Sequence, residues 1–273
     1  VAQEPQGSIA AHPVERLFLG RIRGGVSARL STRTGHRCGV VDAENYDDLA
    51  RFTQDVYAAI AQGKRFLFRS AASLVKALAH LPPQPVAAQE MGCFTRESRP
   101  GVVIVGSHVE KSSRQLARLL QEPGVVGIEV DVQKVPEQPA EALKAVLQQA
   151  EVAFAAGKTS VVYTSRGEVQ FADQAARLAF GEAVSALLMD VIRNLPQDLG
   201  FLIGKGGITS NDMLSSGLAL RAARVLGQVA PGVSVVRCPA DHPRFPELPV
   251  VIFPGNVGDD DALALVYRRF SQH

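Results

Sequence analysis

Three glycine-bearing turns hold the residues best suited to chemistry in this chain. They are Gly106-Ser107-His108, Gly204-Lys205-Gly206-Gly207-Ile208-Thr209-Ser210 and Pro254-Gly255-Asn256-Val257-Gly258-Asp259. Each follows a short apolar run, Val102–Val105, Phe201–Ile203 and Val250–Phe253 respectively. Where a strand hands over to a helix through glycine, backbone N–H groups lie open to an anion, and ligands of open α/β sheets sit beyond the carboxyl ends of the strands. Three such turns on one sheet edge predict a nucleotide site.

The middle turn is the strongest of the three, because consecutive glycines before Thr209-Ser210 combine backbone freedom with the free donors of a helix start. It is neither a P-loop, whose Gly-x-x-x-x-Gly-Lys-Ser/Thr order is absent, nor the spaced Gly-x-Gly-x-x-Gly of a dinucleotide fold. Lys205 reads either as a cation for phosphate or as a solvated turn residue. Ser107 is placed to offer a hydroxyl and an amide to the ligand edge. His108 lacks the acidic partner of a triad and reads as a packing or hydrogen-bonding residue. In the third turn Asp259, Asp260 and Asp261 open the last helix. The helix dipole accounts for one or two of these acids, and the remainder suggests magnesium held through water.

The elements that must position these turns alternate strand with helix. Cys38–Ala43 reads as a strand, and Asn45 caps a helix with Asp47 and Asp48 in its first turn that runs to about Ala61. Arg65–Arg69 reads as a further strand, followed by a helix over 72–81 that Pro82-Pro83-Gln84-Pro85 terminates. The aperiodic stretch 83–99 reads as a domain junction. Beyond it come a strand over 101–105, an amphipathic helix over 112–121, a strand over 125–130, a helix over 139–156, a strand over 160–164 and a helix over 172–194. Buried-type strands alternating with helices predict an α/β fold with a doubly wound, mostly parallel sheet. Arg224–Gln228 and Val233–Cys238, joined through Ala230-Pro231-Gly232, read as a hairpin-like insertion before the last strand.

Composition narrows the partners. The 273 residues are 46% hydrophobic and 21% charged, enough to bury a sizeable core in about two domains. Twenty-nine basic and 27 acidic residues leave a formal charge of +2, and the cations are scattered, so no nucleic-acid footprint is expected. No apolar run suits a membrane span, and no signal core opens the chain. Cys38, Cys93 and Cys238 are odd in number and far apart, which points to a reducing, cytoplasmic setting. The opening Val1-Ala2-Gln3-Glu4-Pro5, without an initiator methionine, reads as the interior of something longer.

Five segments taken together resemble one family. Arg69-Ser70-Ala71-Ala72-Ser73-Leu74-Val75, Val103-Ile104-Val105-Gly106-Ser107-His108-Val109 with Gln115-Leu116, Gly206-Gly207-Ile208-Thr209-Ser210, Leu226-Gly227-Gln228-Val229-Ala230-Pro231-Gly232-Val233 and Pro254-Gly255-Asn256-Val257-Gly258-Asp259 are similar to motifs of the four-carbon acid sugar kinases. That family includes 3-oxo-tetronate, D-threonate and D-erythronate kinases. The resemblance implies an incomplete acid-sugar-binding domain over 1–90 and a nucleotide-binding domain over 100–273. It implies ATP as phosphoryl donor, Mg2+ as its companion ion and a small acid sugar as acceptor, phosphorylated at a hydroxyl, with O4 expected. Ser107, Gly206, Gly207, Ile208, Thr209, Gly255 and Asn256 carry over as nucleotide contacts. Arg69 is expected to pair with the substrate carboxylate, or else to make an ordinary structural ion pair. A homodimer is expected by analogy, and no catalytic base is assigned.

The family's Asp-Asp-x-Thr-Gly turn does not occur in residues 1–40. A second expectation is therefore a nucleotide- or phosphosugar-binding module without turnover. A dinucleotide-dependent oxidoreductase is a weaker third, since its glycine fingerprint is missing.

Overall fold

The structure, a computed structural model, describes residues 14–35, 37–167 and 169–271. The opening Val1–Pro5 lies outside the described residues. The chain divides between Pro83 and Gln84 into two compact units.

The first unit contains β1 (Glu15–Leu17), α1 (Leu19–Gly24), α2 (Ser27–Ser31), β2 (Gly39–Val41), α3 (Tyr46–Ala61) and α4 (Ala72–Leu78). β1 and β2 pair in parallel, with Leu17 opposite Val41. As expected, α3 begins where Asn45 accepts a hydrogen bond from the Asp48 amide at 3.0 Å, which satisfies one donor of the first turn. Phe52, Val56 and Ala59 recur at helical spacing on its buried face and close against Leu17, Ile22, Val26 and Leu30.

The strand expected at Arg65–Arg69 is not formed. Its backbone joins no ladder, Phe66 leans on the small core, and Leu67 is 101% exposed. Apolar alternation made the segment look like a strand. A strand exists only where a neighbour takes its hydrogen bonds, and among the described residues the β1–β2 pair does not extend to it.

The division between the units falls at the start of the stretch 83–99 expected as a junction, and 84–99 itself is folded structure of the second unit. Met91 of the 3-10 turn Ala88–Phe94 is fully buried. The Gln84 side chain accepts from the Gln228 amide at 2.8 Å and donates to the Gln228 carbonyl at 3.0 Å, capping a sheet edge as a strand would. The elements that follow are β3 (Val102–Val105), α5 (Glu110–Leu119), β4 (Val125–Val130), α6 (Pro139–Ala155), β5 (Thr159–Thr164), α7 (Gln174–Asn194), β6 (Leu202–Lys205), α8 (Gly207–Asp212), a π-helical turn Met213–Gly217, β7 (Arg224–Ala230), β8 (Val233–Arg237), β9 (Pro249–Phe253) and α9 (Ala262–Ser271).

They build a mixed α/β sheet in the order β4-β5-β3-β6-β9-β8-β7. The first five strands are parallel, β8 pairs antiparallel with β9, and β7 pairs antiparallel with β8. The expected hairpin is formed, β7 pairing antiparallel with β8 before the last strand, and it is an integral side of this sheet rather than an insertion, with Val235 paired to Val251 of β9. Helices cover both faces. Val102 and Ile104 point to the side of α6 and α7, whereas Val103 and Val105 point to the side of α5 and α9. Phe201, Phe253 and Phe270 are fully buried on that second side, each stabilising the fold by about 1.5–3 kcal/mol through lost water contact. Among the described residues no helix is long and apolar enough to cross a membrane.

Candidate functional site

The winding of the sheet reverses between β3 and β6, the position expected of a ligand crevice. These strands are parallel neighbours, yet β3 leads into α5 on one face and β6 leads into α8, whose continuation packs Met213 into the other. Chain segments leaving in opposite directions define a topological switch point, the place where open α/β sheets hold their ligands in a crevice. β9 adjoins β6 on the far side, so all three glycine turns leave one carboxyl edge.

The turns touch. A Cβ on Gly106 would lie 2.5 Å from Thr209 Oγ1, and one on Gly255 would lie 3.2 Å from Ser107 Oγ. Gly206 has φ 123, and a Cβ there would stand 3.1 Å from both the Ser107 Cβ and Thr209 Oγ1. Only glycine fits that conformation and that gap without strain. The Gly206 amide is spent on the Phe253 carbonyl at 2.8 Å, and the first helical bond runs from Ser210 N to Gly206 O at 2.9 Å. The amides of Gly207, Ile208 and Thr209 are thereby left without helical partners.

Of the sequence candidates, Ser107, Gly206, Thr209 and Gly255 form one cluster. Gly207 and Ile208 face outward beside it. Nothing lies within 4 Å of a Cβ placed on Gly207, and Ile208 is 78% exposed. Asn256 is exposed, and its carbonyl accepts from Lys111 Nζ at 3.4 Å.

Lys205 is not a solvated turn residue. It ends β6, is fully buried, and its Nζ lies 4.1 Å from the Phe253 ring centroid and donates to the Pro254 and Gly255 carbonyls at 2.7 and 3.3 Å. Burial, assisted by the charge of Lys111, brings its pKa down to about 8. The lysine holds the third turn against the second strand.

Helix α5 supplies Ser112, which the motif reading passed over, and Gln115, which it quoted without a role. Ser112 Oγ lies 3.0 Å from Ser107 Oγ and 3.2 Å from the Gly255 carbonyl, and the residue is fully buried. Gln115 donates to the carbonyls of Val257 and Asp259 at 3.0 and 2.6 Å. The signal was there in the amphipathic pattern: Ser112 and Gln115 share the buried face with Leu116 and Leu119, where a polar residue must have a partner. Arg166, after β5, is a further omission, since its guanidinium donates to the Ser107 carbonyl. His108 Nε2 lies 3.2 Å from Thr164 Oγ1. Partial burial first, and the nearby Arg166 charge second, lower the His108 pKa and favour neutral imidazole.

Two sequence expectations change here. Asp260 is bound by Arg114 at 3.0 Å, and Asp261 by Arg118 at 3.1 Å and Arg268 at 2.5 Å, so these acids answer arginines of α5 and α9. Among the described residues no group of three or more His, Cys, Asp or Glu side chains is gathered for a metal. Arg69 is exposed on the unpaired extended segment, not at a strand end. On the same carboxyl edge as the turns, Glu129, Asp131 and Ser165 line a cavity of about 460 Å3 beyond β4 and β5.

Comparison with known proteins agrees with this fold. The family profile of a nucleotide-binding C-terminal domain matches residues 102–263, and that of a sugar-binding N-terminal domain matches residues 3–78. No protein of curated function matches the sequence. Among solved structures, a Salmonella typhimurium LT2 protein provisionally described as a tRNA synthase has TM-score 0.61 and 19% identity over 96% of this chain and 61% of its own. Protein HI1011 of Haemophilus influenzae, of the DUF1537 family, has TM-score 0.59 and 17% identity over 96% and 61%. A DUF1537 domain from Bordetella bronchiseptica, a domain-swapped dimer with bound citrate, has TM-score 0.52 and 19% identity over 95% and 59%. At these identities the likeness is one of fold, and the chain spans about three-fifths of the length of each structure. With its nucleotide-binding profile covering more than half of the sequence and the sugar-binding profile preceding it, the chain belongs to the family of the four-carbon acid sugar kinases.

Proposed function

We propose that this chain takes part in ATP-dependent phosphorylation of a four-carbon acid sugar, a 3-oxo-tetronate, threonate or erythronate, at a hydroxyl, O4 being the expected position. The observation that carries the reading is the contact of Ser107, Gly206, Thr209 and Gly255 at the β3–β6 crevice, with three helix-start amides that have no helical partner beside them. In such a transfer the acceptor oxygen attacks the γ-phosphorus as the bond to ADP breaks. Catalysis then rests on positioning and on offsetting phosphate charge. Ser107, Gly206, Gly207, Ile208, Thr209, Gly255 and Asn256 are the proposed nucleotide contacts.

Magnesium fits this site as an ion bound chiefly through phosphate oxygens and water, which demands few protein ligands. When bound, it would neutralise charge between the β- and γ-phosphates. We assign the acid-sugar domain to 1–90, the nucleotide domain to 100–273, and the substrate carboxylate to Arg69, whose exposed guanidinium is available for bidentate pairing. A cytoplasmic location and a homodimer complete the proposal, the latter supported by the domain-swapped dimer of the Bordetella bronchiseptica relative.

A thermal-shift titration with ATP and Mg2+, followed by a panel of four-carbon acids, tests the reading. At 100 times Kd a ligand adds about 2.7 kcal/mol, a shift of roughly 5 °C or more for a domain of this size. The wild type is expected to shift with ATP and Gly207→Val not to, since the open space over Gly207 is where phosphate would sit. Failure of wild type to respond to ATP overturns the proposal. Nucleotide binding without product, in a coupled assay across the panel, favours instead a nucleotide- or phosphosugar-binding module without turnover.

A further inference from the structure

Among the described residues, one charged side chain at this rim lacks the partners its charge requires. Arg166 lies two residues beyond β5, the strand beside β3, where Tyr163 pairs with Val105. Its Nη1 donates to the Ser107 carbonyl. Its Nε and Nη2 are sealed from solvent and have no hydrogen-bond partner among the described residues. Burial pushes the guanidinium below its ordinary pKa, and Tyr163 and Glu129 oppose this too weakly to offset it.

Most buried arginines are held by a carboxylate on the fork, because withdrawing a guanidinium from water without acceptors is strongly unfavourable. A fork with one arm on a backbone carbonyl and two positions unused is therefore a feature of a protein whose counter-charge arrives with a ligand. The carbonyl it holds belongs to Ser107, the turn residue within reach of both Ser112 and the Gly255 backbone. A polyphosphate over that turn would bring several negative charges to the vicinity of the guanidinium, in a setting where water screens poorly.

We propose that Arg166 is a phosphate-responsive positioning residue of the nucleotide site. It pins the Ser107 turn through its carbonyl in the empty protein, and the nucleotide's phosphate chain offsets its unpaired charge on binding. This rests on the reading of the β3–β6 rim as a nucleotide site. It adds a contribution from β5, beyond the three glycine turns, and makes affinity depend on phosphate number.

The test compares ATP, ADP and AMP binding by calorimetry in wild type, Arg166→Met, Arg166→Lys and Gly207→Val. Loss of a charge-assisted interaction is expected to weaken ATP by roughly 10- to 100-fold in Arg166→Met, ADP by less and AMP by about twofold or less. Arg166→Lys, which keeps the charge but not the fork, recovers part of the ATP affinity. The ligand-free melting temperature of Arg166→Met is expected to equal or exceed that of wild type, because a buried charge without a partner has been removed.

The ATP-to-AMP affinity ratio is decisive, since a mere loop brace would weaken all three nucleotides alike. A uniform loss, or an unchanged ATP affinity in Arg166→Met while Gly207→Val has lost it, overturns the role of Arg166 and leaves the nucleotide site standing. Absence of nucleotide binding in wild type overturns both. Should Arg166→Met fail to fold, the lysine variant decides: an unchanged ATP-to-AMP ratio there rejects the proposal.

Discussion

Lys205 Nζ donates to the carbonyl oxygen of Pro254 at 2.7 Å, so the last residue of β6 holds the turn that follows β9. The lysine is fully buried, and burial brings its pKa from 10.5 to about 8. Below about pH 8 the charged side chain burdens the folded state. Between about 8 and 10.5 the unfolded chain keeps its proton while the folded chain sheds it, so stability must rise across that window. The gain is roughly 3 kcal/mol at most, from 1.36 kcal/mol per pKa unit. Urea denaturation of wild type and Lys205→Met from pH 7 to 10.5 checks this. The stability difference between them should shift toward wild type as pH rises, and a constant difference refutes the assignment.

Gly206 and Gly207 are neighbours with opposite tolerances. At Gly206 φ is 123 and a Cβ would press on Ser107 and Thr209, so Gly206→Ala is expected to destabilise the protein by about 1–3 kcal/mol as well as weakening ATP. Gly207 meets nothing within 4 Å, and Gly207→Ala should leave the melting temperature of the empty protein within about 2 °C while weakening ATP. Paired thermal melts with and without ATP separate the two effects. Equal losses of empty-state stability would show that the backbone contrast has no consequence.

The edge that carries the three glycine turns is legible because it is local: each turn follows a continuous apolar run, and the three runs became the parallel strands β3, β6 and β9. Elements whose existence depends on a distant partner were harder to read. Arg65–Arg69 has strand-like alternation without a strand to pair with, and the stretch 83–99 lacks periodicity yet folds because Met91 and Gln84 find partners far along the chain. Lys205 was ambiguous for the same reason, as neither Phe253 nor Pro254 is near it in sequence. Asp260 and Asp261 suggested a metal because their arginine partners are contributed partly by α5, more than a hundred residues away.

Ser112 tests whether α5 matters to the site. Its hydroxyl spans Ser107 Oγ and the Gly255 carbonyl at 3.0 and 3.2 Å, joining two of the three turns from beneath. Ser112→Ala leaves both without that partner and is expected to cost about 1–2 kcal/mol in denaturation experiments. Because the turns also lose their mutual alignment, ATP affinity should fall several-fold in calorimetry. A stability loss with unchanged affinity would mean that Ser107 and Gly255 are aligned by Lys205 and Arg166 alone.

His108 reports the charge around Ser107 without having to act in the reaction. Partial burial and, second to it, the Arg166 guanidinium lower its pKa from 6.5, so the folded protein resists protonating it. As pH falls below 6.5 the unfolded chain takes up this proton first, and the contribution of His108 to stability declines until the folded pKa is reached. A histidine-resolved NMR titration should therefore place His108 below 6.5 in wild type. Arg166→Met should raise the value only in part, because burial is the larger cause and survives the substitution. ATP should raise it in wild type by bringing negative charge to the same turn. If ATP binds and the His108 titration does not move, the phosphates lie away from Ser107, and the crevice between β3 and β6 is not where they rest.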